Sequence, residues 1–167
     1  YVYEHGLMSG TSDAQFSPRA FTTRGMVATI LWRLEGAPVV NYAMLFTDVE
    51  ETAWYGEAVR WAAASGIVNG CGSERFAPND PITRQQMAAI LYRYASHKGP
   101  DVSMGGETDL LRYEDASQIA DYALPALRWA CGTGLMQGTE GRLLPGGWTA
   151  RAQVAALLRR FHETMLK

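Results

Sequence analysis

Three arginines, Arg24, Arg84 and Arg151, hold the same place in three similar stretches: Phe16 to Leu34 (FSPRAFTTRGMVATILWRL), Phe76 to Tyr94 (FAPNDPITRQQMAAILYRY) and Leu143 to Phe161 (LLPGGWTARAQVAALLRRF). In the second stretch Thr83, followed three residues later by Gln86, forms a capping box, which puts Arg84 at the first helical position. A cation there faces the positive end of the helix dipole. A locally unfavourable residue that recurs three times calls for a negative partner. Within the chain, Asp80 across the loop or a carboxylate of a neighbouring unit would serve Arg84 and hold the loop in shape. Arg33, Arg93 and Arg160 also recur, nine residues further on and well down each helix, where a solvated face or an ion pair between units is expected.

No other chemistry is laid out with that regularity. His5, His97 and His162 fall at unrelated positions, no serine sits in a nucleophile elbow, and Glu50, Glu51 and Glu57 gather at a predicted helix start, where they suit the dipole. No enzymatic activity, catalytic residue or cofactor is therefore expected. Cys71 and Cys131 lie in non-equivalent places without metal-ligand spacing, so they read as one loop thiol and one buried helical thiol, with no metal site. A net charge of −2 gives no bias toward nucleic acid. No apolar run approaches the roughly 20 residues that cross a bilayer. The sequence opens at Tyr1 without a signal peptide, in what reads as the middle of a helix, so a fragment of a larger protein is expected.

The elements that must position the arginines repeat as well. Met87, Ile90, Leu91 and Tyr94 have the spacing of one helix face, matched by Val27, Ile30, Leu31 and Leu34 and by Val154, Leu157, Leu158 and Phe161. Upstream of each loop lies a glycine pair, Gly6 and Gly10, Gly66 and Gly70, Gly134 and Gly138, whose first member is placed for a left-handed helix cap. From that glycine to the arginine the spacing is 18, 18 and 17 residues, a fixed-length loop rather than a linker. Further upstream, Trp54, Ala58, Trp61 and Ala62 make an apolar stripe, matched by Tyr122, Ala126, Trp129 and Ala130, which predicts a first helix in each unit. Pro125 is best tolerated in the first turn, so the third unit's short helix should start beside it. Asp48 and Asp115 should bond the backbone of the turn that follows them.

These observations give an all-α fold of three helix–loop–helix pseudo-repeats, at 1–34, 46–94 and 113–161, packed into one compact module. The three longer helices are expected to form a central three-helix bundle, with the loops projecting as a pseudo-threefold, three-pronged spindle. The linker 95–112, with Gly99, Pro100, Gly105 and Gly106, is the longer of the two and should be the most mobile segment. The first unit keeps only Tyr1, Val2 and Tyr3 of its first helix. That end should be frayed or covered by a neighbouring molecule, possible self-association included.

The run FTDVEETAWYGEAVRWAAASGIVNG followed by FAPNDPITRQQMAAILYR resembles the S-layer homology repeat. The resemblance rests on Phe46, Asp48, Val49, Trp54, Gly66, Gly70, Phe76, Pro78, Thr83, Arg84 and Gln86 in order, and it extends to three repeats over nearly the whole chain. It implies a module outside a bacterial cell, at the cell wall or S-layer, which anchors its parent protein to secondary cell-wall polysaccharide without a covalent bond. The ligand end it implies is an anionic, pyruvylated sugar. On that footing each arginine would join the free N–H groups of its helix start and a glycine loop in an anion site between units. The site residues so implied are Arg24, Arg84 and Arg151, Gly10, Gly70 and Gly138, with Trp54 and Trp148 as stacking platforms; Trp61 and Trp129 read as core. Arg84, with the intact cap, is ranked first and Arg151 last, because Met26 replaces the cap partner in the first copy and Ala150 the capping threonine in the third. A helical protein-binding module without glycan affinity is the alternative.

Overall fold

All three long helices begin at the repeated arginines. In the computed structural model, which describes residues 1–12 and 14–165, α1 spans Arg24–Leu34, α3 Arg84–Lys98 and α5 Arg151–Met165. Between them stand two shorter helices, α2 at Gly56–Ala64 and α4 at Leu124–Gly132; among the described residues the only extended pairing is in isolated bridges. The α3 start carries the complete capping box: Gln86 N–H donates to Thr83 Oγ1 (3.3 Å) and Thr83 N–H to Gln86 Oε1 (3.0 Å). In α1 Thr23 still accepts from Met26 N–H, and at α5 Gln153 Oε1 accepts from Ala150 N–H. Each drifted copy thus keeps half of the device.

The helical stripes expected from the sequence form the core: Val27, Leu31, Met87, Leu91, Tyr94, Val154, Leu158 and Phe161 are buried, as are Trp61 and Trp129. The closest helix pairs are α1 with α2 and α3 with α4, so α1 and α3 each pack tightest on the short helix that follows. Ala58 and Ala62 in α2, and Ala126 and Ala130 in α4, are fully or nearly fully buried, and small residues let helix axes approach. Between long helices, contact runs through larger side chains, such as the Tyr94 and Phe161 rings of α3 and α5 at 5.7 Å.

The short helices start later than the sequence pattern suggests. Trp54 precedes α2 in a turn and is 58% exposed, so it leaves the stripe that Ala58, Trp61 and Ala62 continue. Gly56 explains the boundary: a Cβ there would lie 2.6 Å from the Glu51 carbonyl oxygen, so the chain folds back against its own backbone before the helix can begin. Of the acidic trio only Glu57 stands in the first turn of α2, and Arg60 pairs with Glu51 and Glu57. Before α4 the chain makes 3-10 turns at Ala116–Gln118 and Asp121–Ala123, and Pro125 sits in the helix's first turn.

Two connecting segments touch the rest of the chain at defined points. The N-terminal turn is docked within the chain: Leu7 and Met8 N–H groups donate to the Val2 carbonyl, Tyr1 hydroxyl meets His162 Nδ1 at 3.0 Å, and the Arg159 guanidinium lies over the Tyr1 ring. Aromatic and cation–π contact with α5 replaces the fraying expected there. In the linker 95–112, Gly99 caps α3 in a left-handed conformation, Leu110 is 4% exposed, and Gly105 lies flush against Gly132 of α4. There two glycines facing each other let the backbones touch, while most other residues of the segment are exposed.

The three loops close on one another. Thr22 N–H donates to Thr149 O (3.0 Å), Thr149 N–H to Ile82 O (3.0 Å), and Ile82 N–H to Thr22 O (2.8 Å). All three side chains are buried at this ring.

Candidate binding grooves

Each loop contains a strained residue just before a proline: Ser17, Ala77 and Leu144 have φ of 51°, 56° and 54°. The left-handed region costs a residue with a Cβ about 1–2 kcal/mol, so something must hold it. In the second loop Asp48 does so, its two oxygens accepting the N–H groups of Phe76 and Ala77 at 2.8 Å each. In the third Asp115 accepts from Leu143 (2.9 Å) and Leu144 (2.7 Å). Burial pushes both carboxyls up, but the backbone donors outweigh it and hold them below the usual range. The aspartates thus bond the distant loop of their own unit, not the turn beside them.

The carbonyls of the same peptides receive the arginines. Arg24 Nε donates to Phe76 O (2.7 Å) and its Nη2 to Asn69 O (3.2 Å). Arg84 repeats the pattern on Leu143 O (2.7 Å) and Gln137 O (3.0 Å), and Arg151 on Phe16 O (2.9 Å) and Ser9 O. Each arginine reaches into the next loop round the ring, and the last reaches back to the first.

Two corrections follow. First, the N–H groups of the helix starts are not free for a ligand. Arg24 and Gly25 donate to Asp80 O and Pro78 O, Arg84 and Gln85 to Gly147 O and Pro145 O, and Arg151 and Ala152 to Ala20 O and Pro18 O. Loop carbonyls of the neighbour occupy the positive helix end, which also explains why an arginine is tolerated there. Second, Gly10, Gly70 and Gly138 are required by the loops themselves. A Cβ on Gly70 would lie 2.8 Å from Arg75 O and 3.0 Å from the Phe46 ring; Gly138 meets Tyr113 and Arg142 O in the same way, and Gly10 the carbonyls of Ser12 and Gln15.

The charges of the arginines are left without acids. Among the described residues none of Arg24, Arg84 and Arg151 has a carboxylate within ion-pair distance, whereas Arg60, Arg75, Lys98, Arg142 and Arg159 do. Burial pulls the Arg84 and Arg151 guanidiniums down from their ordinary range. With two carbonyls bound, each guanidinium keeps donors to spare.

Two grooves open beside these cations. The first, about 430 Å³, is lined by Arg24, Asn69 and Gly70 at one end, by Gln86 and Arg93 of α3, and by Tyr122. The second, about 160 Å³, brings Arg151, Ser9 and Gly10 to Met26 and Arg33 of α1, with Trp54 on its flank. Tyr122 and Trp54 hold corresponding positions and both are more than half exposed. The sequence pattern put Arg33 and Arg93 on a solvated face; the structure gives them to the grooves, among the described residues without an acidic partner. Their nine-residue offset from the repeated arginines was the available signal. Arg84, ranked first on its cap, lines neither groove. Trp148 is not in these grooves either. It stands on the outer face of the loop ring, edge-on to Phe21 at 5.1 Å, both rings about half exposed. Among the described residues no cluster of three or more His, Cys, Asp or Glu could hold a metal ion, and no helix is long and apolar enough to cross a membrane.

The fold and grooves define a helical module whose loops clamp one another through arginine–carbonyl bonds and leave unpaired cations in clefts between them. Comparison with known sequences gives its kind: the S-layer homology domain matches residues 1–25 and 45–88, and the chain belongs to that family. It is 32% identical over 158 residues to an endoglucanase of Bacillus sp. (strain KSM-635), covering 94% of this chain and 16% of that protein. It is 30% identical over 171 residues to the surface-layer 125 kDa protein of Lysinibacillus sphaericus, covering 98% of this chain and 14% of the other. Cell surface glycoprotein 1 of Acetivibrio thermocellus matches at 25% over 167 residues, 96% of this chain and 7% of its own length. The chain thus spans about a sixth or less of these relatives.

Proposed function

We propose that the chain is a cell-wall anchoring module that binds anionic secondary cell-wall polysaccharide, with a pyruvylated sugar as the best candidate end group, in the grooves between its loops. In this reading the segments 1–34, 46–94 and 113–161 are three repeats of one three-pronged module. The closed hydrogen-bond ring of Thr22, Ile82 and Thr149 and the threefold arginine handoff support it. One observation carries the ligand class: two clefts hold arginines without carboxylate partners, each beside an exposed aromatic side chain. A partly desolvated cation favours an anion, and an exposed ring favours the apolar face of a pyranose.

The comparisons support the same direction. The shared segment is a small part of relatives named as an endoglucanase and as surface proteins, so what they have in common with this chain is not one catalytic activity. A role outside the cell, at the wall or surface layer, fits both the family and these relatives. Arg24 and Arg151, with Gly10 and Gly70 shaping the loop ends and Trp54 on the flank, are the residues assigned to the glycan; Arg84 and Gly138 would form a third site.

The test is co-sedimentation with purified cell walls before and after chemical removal of the secondary polymer. Binding should be lost with the polymer and should fall by about tenfold in Trp54→Ala. Binding that survives stripping would overturn the reading in favour of a polypeptide partner.

A further inference from the structure

The two grooves are not equivalent. In the first, Arg24 enters at the loop end beside Gln86, and Arg93 stands seven residues further along α3, about 10 Å at the rise of an α-helix. Between these cations the floor is Ala89 and Ile90, and Tyr122 forms the opposite wall. Among the described residues neither arginine has a carboxylate within ion-pair distance, so the groove brings two like charges together without an acid to offset them. Its volume of about 430 Å³ lies in the range of small-molecule sites. The second groove has about 160 Å³, below that range, and there Met26 replaces Gln86 and Arg33 is exposed to solvent.

Resting on the glycan-binding reading, we infer that the Arg24–Arg93 groove takes a glycan segment with two acidic groups, one on each of adjacent sugars, whereas the Arg151 groove takes a single acidic sugar. A groove of about 430 Å³ lined by one arginine from α1 and one from α3 suits two linked rings better than one, with Ala89 and Ile90 beneath the linkage. Tyr122 offers its ring to the nearer sugar. Gln86, part of the α3 cap, turns a polar edge to the groove at the point where Met26 closes the other. Among the described residues Arg93 makes no side-chain hydrogen bond, and it is the group assigned to the second acid.

Isothermal titration with galacturonate and with α-1,4-linked digalacturonate tests this directly. Wild type should bind digalacturonate about tenfold or more tighter than galacturonate. Arg93→Gln should abolish that preference, Arg93→Lys should keep most of it, and Arg33→Gln should leave it unchanged. Equal affinity for the two probes, failure of both to bind, or the same loss in Arg33→Gln as in Arg93→Gln would overturn the inference. If polymer-dependent wall binding persists in that event, only the two-acid assignment falls; if wall binding no longer depends on the polymer, the glycan reading falls with it.

Discussion

The second and third loops and the first loop adopt the same strained turn by different means. Ala77 and Leu144 have their N–H groups fixed by Asp48 and Asp115, carboxylates 29 residues upstream. Among the described residues no aspartate meets the Ser17 N–H; the Ser17 hydroxyl lies 2.6 Å from Thr11 Oγ1, and Thr11 also bonds Gln15. The three loops that join the ring thus share one backbone shape, while the side chains in contact with the strained residue differ. A charge-assisted bond between distant segments also ties the loop to its own helix start, which a hydroxyl pair six residues apart does not.

That difference can be broken where it is greatest. Asp115 is 3% exposed and accepts two backbone bonds, so Asp115→Ala should cost about 3 kcal/mol in denaturant unfolding. Asp48 is less buried and also faces Arg75 at 3.5 Å, so Asp48→Ala should cost about 2 kcal/mol. Acid should sharpen the contrast more gently, since a protonated carboxyl still accepts through one oxygen. The folded-state values of both aspartates are depressed, so their contribution is complete above the unfolded value of about 4 and is lost as pH falls through the lower folded one. Stability should then be level from pH 7 to about 5 and drop below about 4, and the Asp48→Asn, Asp115→Asn double variant should flatten the drop. The smallest effect concerns the strain itself. Ala77→Gly should gain about 0.5–1 kcal/mol by relieving the positive φ, while Ser17→Gly should gain less because the hydroxyl contact goes with it. Equal gains at both sites would show that the Thr11 contact restrains nothing.

The sequence made much of this legible. Helix starts at Arg24, Arg84 and Arg151, left-handed caps at Gly6, Gly66 and Gly134, and buried Trp61 and Trp129 all follow from local periodicity and cap chemistry. What escaped it depends on the neighbouring loop. The N–H groups of a helix start look free until Pro78 or Pro145 presents a carbonyl from elsewhere in the chain. Trp54 matched the stripe of α2 and lies outside the helix, because the boundary is set by Gly56 meeting backbone five residues back. Arg93 read as a surface residue because nothing in a helical pattern shows that a tyrosine from another element stands opposite. The resemblance named the class of the module but not which clefts are formed, since these rest on Met26, Gln86, Tyr122 and Trp54, positions that differ from one copy to the next.

The cycle of bonds through Thr22, Ile82 and Thr149 has a mechanical corollary. Three members joined end to end share two joints, and failure of either releases a member; three joined in a circle share three, and any one can give way while all remain attached through the other two. With the Tyr1 turn riveted to α5, a load applied at one end of the chain is distributed around the circuit instead of peeling it open one loop at a time.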